Sequence, residues 1–308
     1  MPLAPIGLST YARVDHLKET IEALRKNPLA PRSKLVVFSD GPKPGDEEKV
    51  SAVRTYLKSV DGFAEITVLE RAENNRVFNN REGIRNLLDE HGSAIILEED
   101  VVTAPSFLDF MNAALVRYKD DQTIFSISGY SPPFKLPASL KSNTFVLPRF
   151  SAWGFGIWKD RFDRIRMKID ESEYLQLIQE PKRVSKFAEG GWDLPRKLYR
   201  EVSGEVDALD IKIMYQQFLY GMHTLYPTIS LTHNTGHDGS GLHSQVTQKY
   251  AVDLTDNNPI EYDFPTNPKP DGDILKAHAV FRDPGLRVKT RLTLKIYSSW
   301  LRSKFSGK

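Results

Sequence analysis

Three consecutive carboxylates, Glu98, Glu99 and Asp100, directly follow the apolar run AIIL at positions 94–97. Carboxylates this close repel each other unless a cation lies among them. Hard divalent cations such as Mg²⁺ and Mn²⁺ take oxygen ligands, usually together with substrate phosphates. A solvated acidic loop is the competing interpretation of this triplet when it is considered alone.

Two more polar groups follow apolar runs in the same way, namely 9–11 (Ser-Thr-Tyr) and 39–41 (Ser-Asp-Gly). The runs at 2–8, 34–38, 65–69 and 94–97 predict strands, and helical spacing predicts helices over 16–25, about 46–60, and 82–91. This alternation indicates an open α/β sheet with helices on both faces. Ligands of such sheets bind beyond the carboxyl ends of the strands, where the three polar groups would meet.

Composition narrows the function classes further. The chain has 308 residues, a net charge of +2 and no cysteine. The balanced charge argues against a nucleic-acid partner, and the missing cysteines exclude disulfides, thiolate zinc sites and thiol nucleophiles. The apolar start is too short for a signal peptide or a membrane span, which predicts a cytoplasmic protein.

Four segments, in order, resemble one enzyme family. AIILEEDVVTAPSFLDFM (94–111) is similar to the metal-motif segment of GT-A glycosyltransferases. The likeness is greatest to the group that contains animal N-acetylglucosaminyltransferase I and bacterial polysaccharide glycosyltransferases. PIGLSTYARVDHLKETIEAL (5–24), SAWGFGIWKDRFDRI (151–165) and YPTISLTHNTGHDGSGLH (226–243) resemble the opening segment, the aromatic and glycine segment, and the C-terminal signature. The resemblance covers about residues 2–245.

The resemblance implies a GT-A-type open twisted mixed sheet flanked by helices, with a Rossmann-like nucleotide-binding half. It also implies a catalytic domain over 1–245, divided into a donor half (1–110) and an acceptor-side half (111–245), followed by a linker and basic extension over 246–308. The implied activity is metal-dependent, inverting transfer in polysaccharide biosynthesis. A sugar would move from a nucleotide sugar, with UDP-sugars favoured, to a hydroxyl of a glycan or lipid-linked glycan, with Mn²⁺ or Mg²⁺ as cofactor.

The resemblance also assigns the donor side of the site. Asp100 would bind the metal, with Glu99 beside it, although the family more often has Asp at that middle position. Asp40 would accept a hydrogen bond from the base, and Arg13 suits the diphosphate. Asn75 is either a donor contact or part of a surface loop. The full set of donor-binding residues is Ser9, Thr10, Tyr11, Arg13, Asp40, Arg81, Glu98 and Glu99.

An inverting transfer needs one carboxylate that deprotonates the acceptor hydroxyl. The family places this acid after the WG-rich segment, which matches Asp193 in the run Gly-Gly-Trp-Asp at 190–193. Asp207 and Asp210 are competitors, and a structural role for Asp193 at the start of a helix is a further alternative. The expected acceptor or sugar contacts, which could also be core residues, are Trp153, Gly154 and Trp192.

His233, His237 and His243 have a spacing that superficially resembles a zinc site. Close zinc ligands usually lie on one regular helix, as in H-E-x-x-H, whereas the glycines at 236, 239 and 241 predict a loop. We expect this loop to fold over the diphosphate, with Asp238 or His243 pointing inward and His243 as a ligand of the phosphate or the metal.

Two rival functions remain from the sequence. A sugar-nucleotide pyrophosphorylase needs a glycine-rich first loop, but only Gly7 lies near it, and a non-catalytic carbohydrate-binding domain would not need the acids. Residues 281–308 carry eight basic residues and one acid. The alternation of apolar and basic residues over 286–296 fits a half-buried strand. Wound as a helix from residue 291 onward, the tail would instead be basic and amphipathic, and the segment 286–305 could bind the anionic inner face of a membrane. Packing on the catalytic domain is the alternative.

Overall fold

The computed structural model describes residues 2–240, 246–254, 261–283 and 285. The strands there are β1 Ile6–Thr10, β2 Lys34–Ser39, β3 Glu65–Glu70, β4 Ser93–Glu98, β5 Val101–Thr103, β6 Ile124–Ser128, β7 Thr144–Leu147, β8 Phe155–Trp158, β9 His223–Pro227 and β10 Thr232–Asn234. The helices are α1 Val14–Arg25, α2 Glu47–Leu57, α3 Arg76–His91, α4 Phe107–Arg117, α5 Lys159–Phe162, α6 Glu171–Gln179, α7 Pro181–Phe187, α8 Leu194–Val202, α9 Leu209–Tyr220 and α10 Gly272–Phe281.

Eight strands form one mixed sheet in the order β3-β2-β1-β4-β8-β6-β9-β7. The first four are parallel, β8 is antiparallel to both β4 and β6, β9 is parallel to β6, and β7 is antiparallel to β9. A second, two-stranded sheet pairs β5 with β10. The predicted fold class, an open mixed sheet flanked by helices, is confirmed.

The first part of the chain follows its hydrophobic pattern closely. Strands β1 to β4 and helices α1 and α2 lie within a few residues of the predicted segments. Helix α3 begins at Arg76 rather than at residue 82, because the Asn75 side chain accepts a hydrogen bond from the backbone N–H of Phe78 and caps the helix. Asn75 is therefore a helix cap, a role that the sequence reasoning missed.

The sheet is covered on both faces by apolar clusters. One cluster joins α1, α2 and α4 to the sheet through residues such as Leu17, Val53 and Phe107. The other joins α3 and the helices α5 to α9 through residues such as Leu88 and Leu198. Burying one such leucine side chain contributes about 1.5–3 kcal/mol, so this packing holds the strand ends in place.

The described residues after 260 pack against this body. The Tyr262 ring lies 4.7 Å from that of Phe110, and Ile274 of α10 packs with Phe145 and Tyr226. Residues 286–305, the segment predicted either to bind a membrane surface or to pack on the catalytic domain, lie outside the described residues. Within the described part, no helix is long and apolar enough to cross a membrane.

Candidate functional site

A cavity of about 880 Å³ opens at the carboxyl ends of β1, β2 and β4. Its volume lies within the range of small-molecule sites, about 300–1,000 Å³. One wall comes from the strand ends and from α3, and the facing wall comes from α8, α9 and the segment between them. The polar residues of the lining are Ser9, Arg76, Asn80, Arg81, Glu98, Lys197, Arg200, Glu205, Asp207 and Asp210.

Glu99 is tied to the end of β1 by three hydrogen bonds. Its carboxylate accepts from the Thr10 hydroxyl at 2.6 Å, from the Tyr11 backbone N–H at 2.7 Å and from Arg13 Nε at 2.7 Å. These partners come together because β1 and β4 are parallel neighbours in the sheet. The contact holds Arg13 against the acidic triplet.

Asp100 is engaged on both carboxylate oxygens. Oδ2 accepts from Arg13 Nη2 at 2.7 Å, and Oδ1 accepts from Asn234 Nδ2 at 3.1 Å. The antiparallel pairing of β5 with β10 brings the loop after Asn234 to this point, and the Thr235 N–H donates to the Asp100 carbonyl at 2.8 Å. A Cβ atom at Gly236 would lie 2.1 Å from Oδ2, so any larger residue there would displace the Asp100 side chain or the loop.

The sequence argument favoured a cation among these acids over a solvated loop, and the structure places Arg13 there. Burial alone would lower the pKa of Arg13, but Glu99 and Asp100 raise it above its ordinary value. Among the described residues, no group of three or more His, Asp or Glu side chains is arranged to hold a metal ion. The carboxylate oxygens suit a hard cation chemically, but Arg13 occupies them. His243 lies outside the described residues.

Glu98 lies on the cavity side, because successive side chains of a strand point to opposite faces. Burial, and next the charge of Asp100, raise the pKa of Glu98 to about 7. Ser9 lines the same wall. These two residues lie on the wall formed by the strand ends, whereas Glu99 and Asp100 face Arg13.

The Asp40 carboxylate is 2% exposed and accepts three hydrogen bonds. They come from the N–H groups of Gly41 and Asn75, each at 3.0 Å, and from Asn74 Nδ2 at 2.9 Å. Asp40 therefore holds the segment that enters α3. Its expected hydrogen bond to a base stays a prediction.

Asp193 forms a bidentate ion pair with Arg149, with both N–O distances at 2.9 Å. Burial acts to raise the pKa of Asp193, but the Arg149 charge outweighs it and holds the pKa well below its usual range. A Cβ atom at Gly190 would lie 2.2 Å from the Pro148 carbonyl oxygen. The glycines before Asp193 therefore allow a close backbone approach that builds this pair.

The two competing acids, Asp207 and Asp210, line the cavity. Asp207 pairs with Arg81 and with Lys212, and the latter is buried. Asp210 pairs with Lys197 at 3.1 Å. Arg81, an expected donor contact, thus lines the cavity and also links α3 to the facing wall.

The three expected acceptor contacts lie in different surroundings. The Trp153 ring packs edge-on against Tyr130 at 4.6 Å and His237 at 5.1 Å between centroids. Gly154 has φ +78°, a conformation that favours glycine. Trp192 is 42% exposed beside Asp193. Their contacts with an acceptor stay predictions.

The predicted loop is present over the described residues 235–240, which include His237, but the prediction was wrong for His233 and Asn234, which pair with β5. His233 belongs to the short strand β10, and His237 Nδ1 lies 2.9 Å from Asn234 Oδ1. His16 and Asp238 approach to 3.3 Å. This loop covers Asp100 and Trp153.

Sequence reasoning missed several residues of the site. Arg76, Lys197 and Arg200 line the cavity, and Arg149 pairs with Asp193. Arg149 follows β7, which runs antiparallel to its neighbour β9 and therefore to β1 and β4, so the rule of carboxyl strand ends gave no signal for it. The positions of Lys197 and Arg200 on α8 carry no such signal, because a charged helix face is usually solvated.

No protein-family profile matches the chain. One curated relative is the α-1,3-mannosyl-glycoprotein 2-β-N-acetylglucosaminyltransferase of Arabidopsis thaliana, 25% identical over 141 residues. The chain is similar to a glycosyltransferase. The match takes in 42% of this chain and spans about a third of the relative's length, 32%.

Solved structures also match. The mannosyltransferase PcManGT from Pyrobaculum calidifontis, in complex with GDP-Man and Mn²⁺, has a TM-score of 0.41 at 13% identity over 71% of this chain and 70% of its own. S. aureus TarS 1–349 in complex with UDP-GlcNAc has a TM-score of 0.35 at 10% identity over 50% of this chain and 44% of its own.

Proposed function

We propose that this chain is an inverting glycosyltransferase that moves a sugar from a nucleotide sugar, UDP-sugars favoured, to a hydroxyl of a glycan or lipid-linked glycan. The observation that carries the proposal is the cavity of about 880 Å³ between the carboxyl strand ends and a facing wall with Asp207 and Asp210. A transferase needs a donor and an acceptor side within one enclosed space, with a carboxylate on the acceptor side. The Arabidopsis relative supports the same reaction class.

In this proposal the donor lies over Ser9 and Glu98 at the strand ends. An acid of the facing wall removes the proton of the acceptor hydroxyl as the new glycosidic C–O bond forms. The bond between the anomeric carbon and the diphosphate oxygen breaks in the same displacement, and the nucleoside diphosphate leaves. Asp100 would hold Mn²⁺ or Mg²⁺, which offsets the negative charge of the leaving diphosphate.

Asp193 and Asp210 are the two proposed bases. A general base works best with a pKa near the working pH, so the ion pair of Asp193 with Arg149 has to open before Asp193 accepts a proton. Asp210 lines the cavity itself and pairs with one lysine, Lys197, whose side chain is 41% exposed. We therefore favour Asp210.

Release of UDP from UDP-sugars, with and without glycan acceptors, tests the proposal. We expect acceptor-dependent UDP release, lowered about 10²- to 10⁴-fold in Asp210→Asn, with UDP binding retained. Asp163→Asn, at an exposed ion pair with Arg85, is the matched control and should keep full activity. A larger loss in Asp193→Asn would move the role to that residue. UDP-sugar binding without turnover for any sugar would refute transferase activity.

A further inference from the structure

The Arg13 guanidinium lies inside the acidic triplet. It makes two ion pairs, from Nε to Glu99 Oε1 and from Nη2 to Asp100 Oδ2, each at 2.7 Å. Its remaining nitrogen, Nη1, is buried and has no hydrogen-bond partner among the described residues. A buried donor without an acceptor is unfavourable, so Arg13 has an unused donor at the edge of the proposed diphosphate site.

The strand β10 and the loop after it also contact the Asp100 carboxylate. Asn234 occupies Asp100 Oδ1, and the Gly236 backbone lies so near Oδ2 that a Cβ atom there would be 2.1 Å from it. The Asp100 side chain is only 11% exposed. A divalent cation that reached Asp100 in this state would lie within a few ångströms of the Arg13 charge, and like charges at such distances repel strongly.

Arg13 cannot simply withdraw from the cluster, because Glu99 and Asp100 would then be buried without a counter-charge. A nucleoside diphosphate would offer Arg13 another negatively charged partner. Its phosphate oxygens are acceptors that match the planar guanidinium, and they would also supply ligands to a cation.

We propose that Arg13 is a displaceable counter-ion of the acidic triplet, which excludes divalent cations from Asp100 until a nucleoside diphosphate binds and takes Arg13 as its partner. This inference rests on the proposed function for its nucleotide part. It makes metal binding and nucleotide binding mutually dependent, with Arg13 as the residue that couples them.

Titration of the full chain with Mn²⁺ alone, followed by electron paramagnetic resonance of free Mn²⁺, tests the exclusion without any activity measurement. We expect Arg13→Gln to bind Mn²⁺ at least about 10-fold more tightly than the wild type, because one neighbouring positive charge is gone. Arg25→Gln, which removes an exposed arginine at the far end of α1, the helix that directly follows Arg13, should bind Mn²⁺ as the wild type does. Circular dichroism checks that each variant folds.

Calorimetry with UDP tests the second part of the proposal, namely that nucleotide binding and metal binding depend on each other. Wild type should bind UDP at least about 10-fold more tightly with Mn²⁺ than in EDTA, whereas Arg13→Gln should lose this dependence in part, since its metal site is open beforehand. If Arg13→Gln does not fold, Arg13→Lys replaces it, because a lysine makes one point contact and should weaken the exclusion.

Equal Mn²⁺ affinity of the wild type and the Arg13 variant would overturn the inference, as would tight Mn²⁺ binding by the wild type alone. Equal UDP affinity in EDTA and in Mn²⁺ would overturn it too. A chain that binds no nucleotide under any condition would refute the proposed function instead, and the Mn²⁺ comparison would still decide whether Arg13 blocks Asp100.

Discussion

His278 makes the stability of this protein depend on pH in a way that can be calculated. Its side chain is fully buried in α10, and its ring lies 5.8 Å from that of Phe134. Burial, and next the charges of Arg149 and Arg282, lower the pKa of His278 from 6.5 to about 3, while Asp193 acts in the opposite direction. The native protein therefore holds this histidine neutral.

The direction of this pH dependence follows from the difference in proton uptake between the unfolded and the native chain. Between pH 6.5 and 3 the unfolded chain protonates His278 and the native chain does not, so stability is fully present above pH 6.5 and falls as the pH decreases. From these two pKa values, His278 lowers the free energy of unfolding by about 2 kcal/mol between pH 8 and pH 5. Any native pKa below about 4 gives nearly the same loss.

Urea unfolding at pH 5 and pH 8 measures this loss. We expect His278→Leu to remove about 2 kcal/mol of the pH dependence, because leucine fills a similar volume and does not titrate. Ile274→Ala, a buried position on the same helix, is the control. It should destabilise by about 2–5 kcal/mol at both pH values. The reasoning fails if the difference between wild type and His278→Leu is the same at pH 5 and pH 8.

Two further substitutions test the site and its support. Gly236→Ala places a Cβ atom 2.1 Å from Asp100 Oδ2, so the loop should shift and UDP binding in Mn²⁺ should weaken by calorimetry, while an unchanged affinity would contradict the close contact. Lys212→Met leaves the buried Glu201 unpaired and should lower the free energy of unfolding by about 3–5 kcal/mol. Lys276→Met, at an exposed pair, should change it by less than about 1 kcal/mol, and equal effects of the two lysine variants would refute the argument.

Much of the donor half was predictable from its residues. The apolar runs of β1, β2 and β4 and the helical spacing of α1 determine those elements locally, because the spacing of the apolar side chains matches the period of the element that forms. The cluster of polar groups at the strand ends followed from the parallel order of the strands. The start of α3 was missed, since its cap depends on Asn75, and no apolar periodicity marks that position.

The acceptor side was much less predictable. Its helices α6 to α9 are short, and their charged faces carry no signal of which acid faces the cavity. Asp193 was chosen from the family resemblance, and the structure shows that it pairs with Arg149, a residue 44 positions away. Asp207 and Asp210 reach the cavity only because α9 packs against the sheet.

The sequence by itself determined that three carboxylates follow a buried strand, and it favoured a cation among them over a solvated acidic loop, because adjacent like charges repel. It could not show which cation. Tertiary structure decided this, because only the parallel pairing of β1 with β4 brings Arg13 to Glu99, and only the pairing of β5 with β10 brings Asn234 and Gly236 over Asp100. These contacts join residues far apart along the chain, and they depend on which strands become neighbours in the sheets, which the local pattern of each strand does not determine.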